Sequence, residues 1–146
     1  ETARKLLHTK KIILPLDVAT NKRITPCDKM KKGMKGLDIG PETCEAYAAI
    51  IKEAKTIFWN GPMGLIEQKP FDRGTIALAK TLAKAKATTV VGGGDTLEII
   101  EKLKLEKKYT HVSTGGGATL EFLSGKKLPG LVALDQKHPV RLQKKR

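Results

Sequence analysis

Three short segments, each directly after an apolar run, carry residues whose types and spacing suit the binding of an anion. They are Trp59-Asn60-Gly61-Pro62-Met63-Gly64, Val91-Gly92-Gly93-Gly94-Asp95-Thr96 and Ser113-Thr114-Gly115-Gly116-Gly117-Ala118-Thr119. The last two contain glycine runs, and a backbone without side chains can bring its N–H groups close to a ligand. A helix that starts there adds unpaired N–H groups and the positive end of its dipole. Two such ends side by side would form a cradle for phosphate groups.

Asp95 directly follows the first glycine run, and two roles fit it. Its carboxylate could hold Mg²⁺, which proteins bind through one or two carboxylates together with phosphate oxygens. It could equally cap its own helix. Neither glycine run matches G-x-x-x-x-G-K-[ST] or G-x-G-x-x-G, so a dinucleotide-binding fold is disfavoured. One glycine run alone would indicate a flexible turn, but two runs at strand-to-helix junctions favour anion binding.

Alternating strands and helices must position these segments. We predict strands at residues 11–16, 56–59, 88–91 and 111–113, and helices at 41–54, from 72 or 75, from about 95, and at 119–124. The polar, basic run 22–35 indicates a surface loop. Short connections and continuous apolar strands such as Ile57-Phe58-Trp59 indicate an α/β fold with a parallel sheet and flanking helices. Ligands bind beyond the carboxyl ends of such strands, where the three segments lie.

The net charge of +13 over 146 residues favours an anionic partner, but its position matters more than its total. Residues 1–35 carry a net charge of +7 and residues 137–146 carry +5, which leaves about +1 for the body between them. Aromatic residues make up 4% of the chain, which is poor provision for stacking nucleic-acid bases. The charge therefore favours an anion without naming it.

Length and composition exclude several classes of protein. A chain of 146 residues can bury one core. No apolar run reaches the ~18 residues that a membrane span needs, so we expect no membrane association. Two cysteines are too few for a disulfide framework or a four-ligand zinc site. One Cys27–Cys44 pair remains open, although two reduced thiols in a cytoplasmic protein is the simpler interpretation.

Together the three segments closely resemble phosphoglycerate kinase. Residues 36–41 (Gly-Leu-Asp-Ile-Gly-Pro) and 128–130 (Leu-Pro-Gly) fit the same family in order and spacing, so the resemblance spans about residues 10–137. It implies that residues 1–137 are the C-terminal part of a Rossmann-like nucleotide-binding domain, with residues 138–146 as a basic tail. The family is a glycolytic kinase that transfers a phosphoryl group between 1,3-bisphosphoglycerate and Mg-ADP, giving 3-phosphoglycerate and Mg-ATP.

The resemblance also implies roles for single residues. On the side of the base and ribose, Gly36 and Leu37 would line the adenine pocket. Pro62 and Leu65 would pack near the base and ribose, and Glu67 would bind the ribose hydroxyls.

On the phosphate side, Asn60 would contact the nucleotide phosphates, Asp95 would hold Mg²⁺, and Thr96 would bind a phosphate oxygen. Two sets would supply backbone groups: Gly93 and Gly94 at the phosphates, and Gly115, Gly116 and Gly117 at the transferred phosphoryl group. Catalysis would then consist of positioning and electrostatic stabilisation.

The resemblance covers only part of the family's length, which is about three times that of this chain. The N-terminal domain with its basic phosphoglycerate patch has no counterpart here, and neither has the first half of the nucleotide domain with its catalytic lysines. We therefore expect the remainder of the kinase polypeptide to be a partner, and the isolated chain to lack kinase activity. The alternatives are a basic module that binds nucleic acid or another polyanion, which the near-neutral body disfavours, and a truncated chain without a function of its own. A cytoplasmic location is the default expectation.

Overall fold

The computed structural model describes residues 1–135, so the predicted basic tail at 138–146 lies outside the described residues. The helices are α1 (Thr2–His8), α2 (Pro41–Glu53), α3 (Arg73–Leu82), α4 (Gly94–Lys102), α5 (Gly116–Leu123) and α6 (Pro129–Asp135). The strands are β1 (Asp17–Ala19), β2 (Ile24–Pro26), β3 (Asp38–Ile39), β4 (Thr56–Asn60), β5 (Thr88–Gly92) and β6 (His111–Ser113). The sequence analysis predicted neither α1 nor α6. No helix among residues 1–135 is long and apolar enough to cross a membrane.

The predicted parallel sheet is confirmed, with the strand order β4-β5-β6. β4 and β5 pair in parallel over five residues, from Thr56 opposite Thr88 to Asn60 opposite Gly92. β5 and β6 pair in parallel from Val90 opposite His111 to Gly92 opposite Ser113. Parallel neighbours need crossover connections, and α3 and α4 supply them. The strands and helices predicted from residue 41 onward therefore have the expected type and order.

The core lies where α3 and α4 pack against this sheet. Both helices bury one stripe and expose charged residues on the other face, as amphipathic helices do. The buried apolar residues of the cluster are Trp59, Ala79, Leu82, Val91, Ile99, Ile100 and Tyr109. The hydroxyl of Tyr109 donates a hydrogen bond of 2.9 Å to the carbonyl of Ala79, which satisfies its polar end inside the core.

A second, antiparallel sheet with the order β2-β1-β3 corrects the prediction of a surface loop at 22–35. Ile24–Pro26 is β2, and Cys27–Lys29 forms one turn of 3₁₀-helix. The hairpin between β1 and β2 closes at Thr20, whose backbone N–H and hydroxyl both donate to the carbonyl of Arg23, at 3.0 and 2.7 Å. A three-residue strand in a basic run is too short to show a periodic pattern, so only pairing with β1 reveals it.

The predicted strand at residues 11–16 is wrong. This segment has no regular secondary structure, and its side chains are exposed, with Ile13 at 58% and Leu14 at 56%. Its apolar, β-branched composition does suit a strand. A strand also needs a neighbour for its backbone N–H and C=O groups, and none of the described strands lies beside it. Composition alone therefore could not decide this element.

Truncating a core leucine and an exposed leucine should have very different effects on stability. Leu82 is 4% exposed and lies in the core cluster, so we expect Leu82→Ala to lower the free energy of unfolding by about 2–5 kcal/mol. Leu14→Ala removes the same atoms from an exposed site and should change it by less than about 0.5 kcal/mol. Urea unfolding followed by circular dichroism measures both. A large loss in Leu14→Ala would show that residues 11–16 are buried in solution.

Candidate functional site

The carboxyl ends of the three parallel strands form one level edge. Asn60, Gly92 and Ser113 occupy the same row across the sheet, because Asn60 is paired with Gly92 and Gly92 with Ser113. Adjacent strands lie about 4.8 Å apart, so the row is about 10 Å long. The three segments with predicted binding residues all begin at this edge. The structure thus places the two glycine runs side by side at this edge.

The loop after β4 is fixed by two helix N-termini. The N–H of Gly61 donates to the Thr96 hydroxyl in the first turn of α4, at 2.8 Å. The N–H of Met63 donates to the Thr75 hydroxyl in the first turn of α3, at 3.0 Å. Both threonines are completely buried. These bonds hold the 60–64 loop against α3 and α4 without any bound ligand.

Asn60 places an unpaired donor at the β4 end of this edge. Its Nδ2 atom is buried and has no hydrogen-bond partner among the described residues. A Cβ atom added at Gly92 or Gly93 would lie 3.3 Å from Nδ2, so the amide faces the first glycine run closely. Leaving a buried donor unsatisfied costs about 1–3 kcal/mol. The Asn60 amide thus leaves one buried donor unpaired where β4 ends.

The backbone beyond β5 and β6 is open to approach. Gly93 has φ +94, a conformation that residues with a side chain rarely adopt, and it precedes the first residue of α4. A Cβ atom added at Gly94, Gly116 or Gly117 would meet nothing within 4 Å. The first N–H groups of α4 and α5 have no intrahelical partners. Both helix starts can therefore present N–H groups to an anion at the same edge.

Of the polar side chains at these helix starts, some are exposed and others are already hydrogen-bonded within the fold. Asp95 is exposed in the first turn of α4 and does not cap it, since the N-cap is Gly93 and no side chain caps this helix. The capping role considered for Asp95 is therefore not seen. Thr96, predicted to bind a phosphate oxygen, is completely buried, and its hydroxyl accepts from the N–H of Gly61. The hydroxyl of Ser113 lies 2.7 Å from that of Thr119.

Several residues predicted for the base and ribose line one cavity of about 410 Å³. Gly36, Leu37 and Leu65 belong to its wall, together with Met63 and Gly64. The N–H of Leu65 donates to the carbonyl of Leu37 at 2.8 Å, which joins the two sides of the wall. Pro62 is half-buried and Glu67 is exposed, and neither lines this cavity. The structure thus brings together three of the five residues on this side.

Asp38 joins the wall of this cavity to the start of α3. Its carboxylate is 4% exposed and accepts hydrogen bonds from the N–H groups of Gly74, at 2.7 Å, and Ile39, at 2.8 Å. Burial raises the pKa of this carboxyl, the two N–H bonds act against it, and the charge of Asp72 adds a small further increase. A Cβ atom added at Gly64 or Gly74 would lie within 2.5 Å of Asp38 Oδ1. These glycines are therefore required by the carboxylate.

Asp17 accepts hydrogen bonds from the first turn of α2, as Asp38 does from the start of α3. Its Oδ1 atom accepts from the N–H of Thr43 at 2.8 Å, and its Oδ2 atom accepts from the N–H of Glu42 at 3.3 Å. The Thr43 hydroxyl in turn accepts from the N–H groups of Leu16 and Asp17, each at 3.0 Å. A carboxylate at a helix N-terminus is favourable because unpaired N–H groups and the positive end of the dipole meet there.

The sequence analysis gave no role to Asp17, Asp38, Thr43 or Thr75, although the sequence contains a signal for the threonines. α2 begins Pro41-Glu42-Thr43, α3 begins Arg73-Gly74-Thr75 and α4 begins Gly94-Asp95-Thr96. Each helix therefore has threonine as its third residue, and each of the three hydroxyls accepts a backbone N–H from another segment. The repeated spacing indicates a structural role that single motifs do not show.

Comparison with known proteins agrees with this architecture. A sequence model of the family described as "Phosphoglycerate kinase" matches residues 1–126. The chain belongs to the phosphoglycerate kinase family. A phosphoglycerate kinase of Herpetosiphon aurantiacus is 47% identical over 135 residues, covering 87% of this chain and 34% of its own length. One of Clostridium kluyveri is 50% identical over 135 residues, with the same coverage. The chain thus spans about a third of the length of these phosphoglycerate kinases.

Solved structures of phosphoglycerate kinases show the same fold. The phosphoglycerate kinase of Coxiella burnetii superposes with a TM-score of 0.84 at 37% identity, covering 94% of this chain and 39% of that one. The phosphoglycerate kinase of Pyrococcus horikoshii OT3 superposes with a TM-score of 0.81 at 35% identity, covering 91% and 35%. The predicted α/β class and the predicted family are both confirmed.

Replacing Thr96 by valine tests whether its hydroxyl fixes the 60–64 loop. Thr96→Val keeps the shape but leaves the Gly61 N–H without its acceptor, so we expect the free energy of unfolding to fall by about 1–3 kcal/mol. Thr96→Ser retains the oxygen and should recover much of the loss. Thr114→Val, at an exposed threonine beside the second glycine run, is the matched control and should be near neutral. Equal stabilities of Thr96→Val and Thr114→Val in urea unfolding would contradict this role.

The raised pKa of Asp38 predicts the direction in which the free energy of unfolding changes with pH. The folded state holds the Asp38 proton more tightly than the unfolded state does, so stability falls as pH rises from the ordinary carboxyl range through the raised pKa. Asp38→Asn keeps an oxygen for the Gly74 N–H but does not titrate. We expect the difference in unfolding free energy, wild type minus Asp38→Asn, to decrease with rising pH across that interval. Urea unfolding at a series of pH values measures it, and a difference that increases with pH would refute the assignment.

Proposed function

We propose that this chain binds a nucleoside diphosphate or triphosphate with Mg²⁺, as part of a glycolytic phosphoglycerate kinase of the cytoplasm. The observation that carries the proposal is the unpaired, buried Nδ2 donor of Asn60 in the same row as the strand ends from which α4 and α5 start. A phosphate oxygen at this edge would pair that donor and meet backbone N–H groups of α4 and α5. Binding of the anion would thus need no lysine at the site.

The cavity of about 410 Å³ would hold the base and ribose of the nucleotide. Its wall contains Leu37, Met63 and Leu65, which offer apolar contacts to a base. The 60–64 loop runs from the phosphate edge to this cavity, and Thr75 and Thr96 hold it in place. Base and phosphates would therefore lie on either side of one fixed loop. We propose Pro62 along this path and Glu67 at the ribose hydroxyls.

The donor set at the edge fits Mg²⁺ only in combination with phosphate. No three His, Cys, Asp or Glu side chains among residues 1–135 cluster to hold a metal ion. Mg²⁺ commonly takes one or two carboxylates and completes its shell with phosphate oxygens and water. The exposed carboxylate of Asp95, in the first turn of α4, suits that arrangement. When bound, the ion would neutralise charge on the phosphates.

For phosphoryl transfer, this chain would supply one side of the reaction. The N–H groups of Gly115, Gly116 and Gly117 would stabilise negative charge on the transferred group, and those of Gly93 and Gly94 would orient the donor phosphates. The chain spans about a third of its relatives, so we propose that the remaining polypeptide binds the phosphoglycerate and closes over the site. Alone, this chain would bind nucleotide and turn over no substrate.

Mg-ADP titration of wild type and Asp95→Asn tests the nucleotide proposal. We expect wild type to bind Mg-ADP more tightly than ADP in excess chelator, because the ion adds a contact to Asp95. Asp95→Asn should lose that difference, with an effect of about tenfold, or ~1.4 kcal/mol. Isothermal titration calorimetry measures the four dissociation constants.

Asp28→Asn is the matched control, since Asp28 is an exposed acid far along the chain from the three segments. It should behave as wild type. An Asp95→Asn protein with an undiminished Mg²⁺ effect would remove Asp95 from the site, and no ADP binding by wild type would refute the proposal for this chain. A coupled kinase assay on the same samples should show no turnover, and turnover would contradict the need for the remaining polypeptide.

A further inference from the structure

A second cavity, of about 730 Å³, lies between the β1–β2 hairpin and the first turns of α2 and α3. We call it the α2–α3 cavity. Its walls are residues 19–24, 38–41 with 44–45, and 70–77 in part. It shares only Asp38 and Ile39 with the cavity proposed for the base, and it includes none of the glycine runs. Its volume lies within the range of small-molecule sites.

The walls of the α2–α3 cavity are fixed by buried hydrogen bonds. Asp17 holds the first turn of α2 through Glu42 and Thr43, and Asp38 holds the start of α3 through Gly74. Both carboxylates are at most 4% exposed. The hairpin wall closes through Thr20 and Arg23. A cavity with such walls is formed before any ligand arrives, which lowers the entropy cost of binding.

The lining combines an apolar surface with an excess of positive charge. The apolar part includes Ile24, Ile39, Pro70, Phe71 and Ala77. The cationic part is Lys22, Arg23 and Arg73. None of these three cations takes part in the ion pairs found within residues 1–135, which join Glu1 to Lys5, Glu98 to Lys102 and Glu121 to Lys126.

The two acids of the lining do not balance this charge. Three cations face two acids in the lining, Glu45 is exposed as the cations are, and the Asp38 carboxylate is already occupied by two backbone N–H groups. Arginine offers a planar fork that suits carboxylate, sulfonate and phosphate oxygens. We propose that the α2–α3 cavity binds a small organic anion that has an apolar body and one acidic head group. The apolar body contacts the Ile39 and Phe71 side, and the head group is held by Arg23, Arg73 and Lys22.

A pair of fluorescent probes with nearly the same rings separates the two parts of this proposal. 8-Anilinonaphthalene-1-sulfonate carries the anionic head, and N-phenyl-1-naphthylamine lacks it. Titration of the ¹⁵N-labelled 146-residue chain, followed by amide chemical shifts, should move the signals of Ile24, Ile39, Gly74 and Ala77 with both probes. The anionic probe should bind about tenfold more tightly. Arg23→Gln/Arg73→Gln should abolish that preference.

Two further variants make the test specific to this cavity. Ala77→Phe fills it and should weaken both probes, whereas the arginine variant should affect only the anionic one. The matched control is Lys126→Gln/Lys127→Gln, which removes two cations beside another apolar surface, formed by Phe122, Leu128 and Leu131. It should change neither affinity at the α2–α3 cavity. Urea unfolding of each variant checks that the fold is retained.

Several outcomes would overturn the proposal. Equal affinities of the two probes would refute the anionic head group. Shifts confined to residues 120–134, lost in Lys126→Gln/Lys127→Gln, would place the probe on the other surface. A titration with Mg-ADP completes the experiment, because Mg-ADP also combines an apolar part with an anionic one. It should leave the signals of Ile24 and Ala77 unmoved, and displacement of the sulfonate probe by Mg-ADP would show that this cavity is a nucleotide site instead.

Discussion

Three buried threonine hydroxyls hold this structure together at the points where function is proposed. Thr43, Thr75 and Thr96 are each the third residue of a helix, each is completely buried, and each accepts a backbone N–H from another segment. A buried N–H without a partner is costly, so these contacts specify where each helix starts relative to the strands. Glycine is required at positions 64 and 74 for a steric reason, because a side chain there would collide with the Asp38 carboxylate. The segments around the helix N-termini at the sheet edge already have their hydrogen bonds, so the first N–H groups of these helices stay available to a ligand.

One of the two exceptions to this satisfaction among the described residues lies at the proposed phosphate site. Within residues 1–135, the buried side-chain atoms without a hydrogen-bond partner are Thr25 Oγ1 and Asn60 Nδ2. The first lies in the small antiparallel sheet, and the structure offers no explanation for it. The second lies at the carboxyl edge of the parallel sheet, where ligands of α/β proteins bind. That coincidence is stronger support for a phosphate site than the glycine runs are, because glycine runs also form ordinary turns.

The charge of the chain and the chemistry of its proposed sites are largely separate. The proposed nucleotide site relies on backbone N–H groups and one amide, so it would need no excess of basic side chains in the nearly neutral body. The excess of lysine and arginine lies toward the ends of the sequence, and part of it, at Lys22 and Arg23, lines the α2–α3 cavity. The net charge favours an anionic partner but does not indicate where on the fold an anion would be bound.

The sequence by itself determined the family, the α/β class, the three parallel strands and the segments at their ends. These features depend on local composition: short apolar runs, glycines at strand-to-helix junctions, and helical spacing of apolar residues in α3 and α4. Tertiary structure decided the rest. Residues 11–16 have the composition of a strand but no neighbour, whereas Ile24–Pro26 lies in a polar run and is a strand because β1 pairs with it. Two features join residues 20 or more positions apart: the level row of Asn60, Gly92 and Ser113, and the hydrogen bonds from first-turn N–H groups of α2 and α3 to Asp17 and Asp38. Pairing of backbone groups over such distances is specified by packing of the whole fold, so no local pattern contains it.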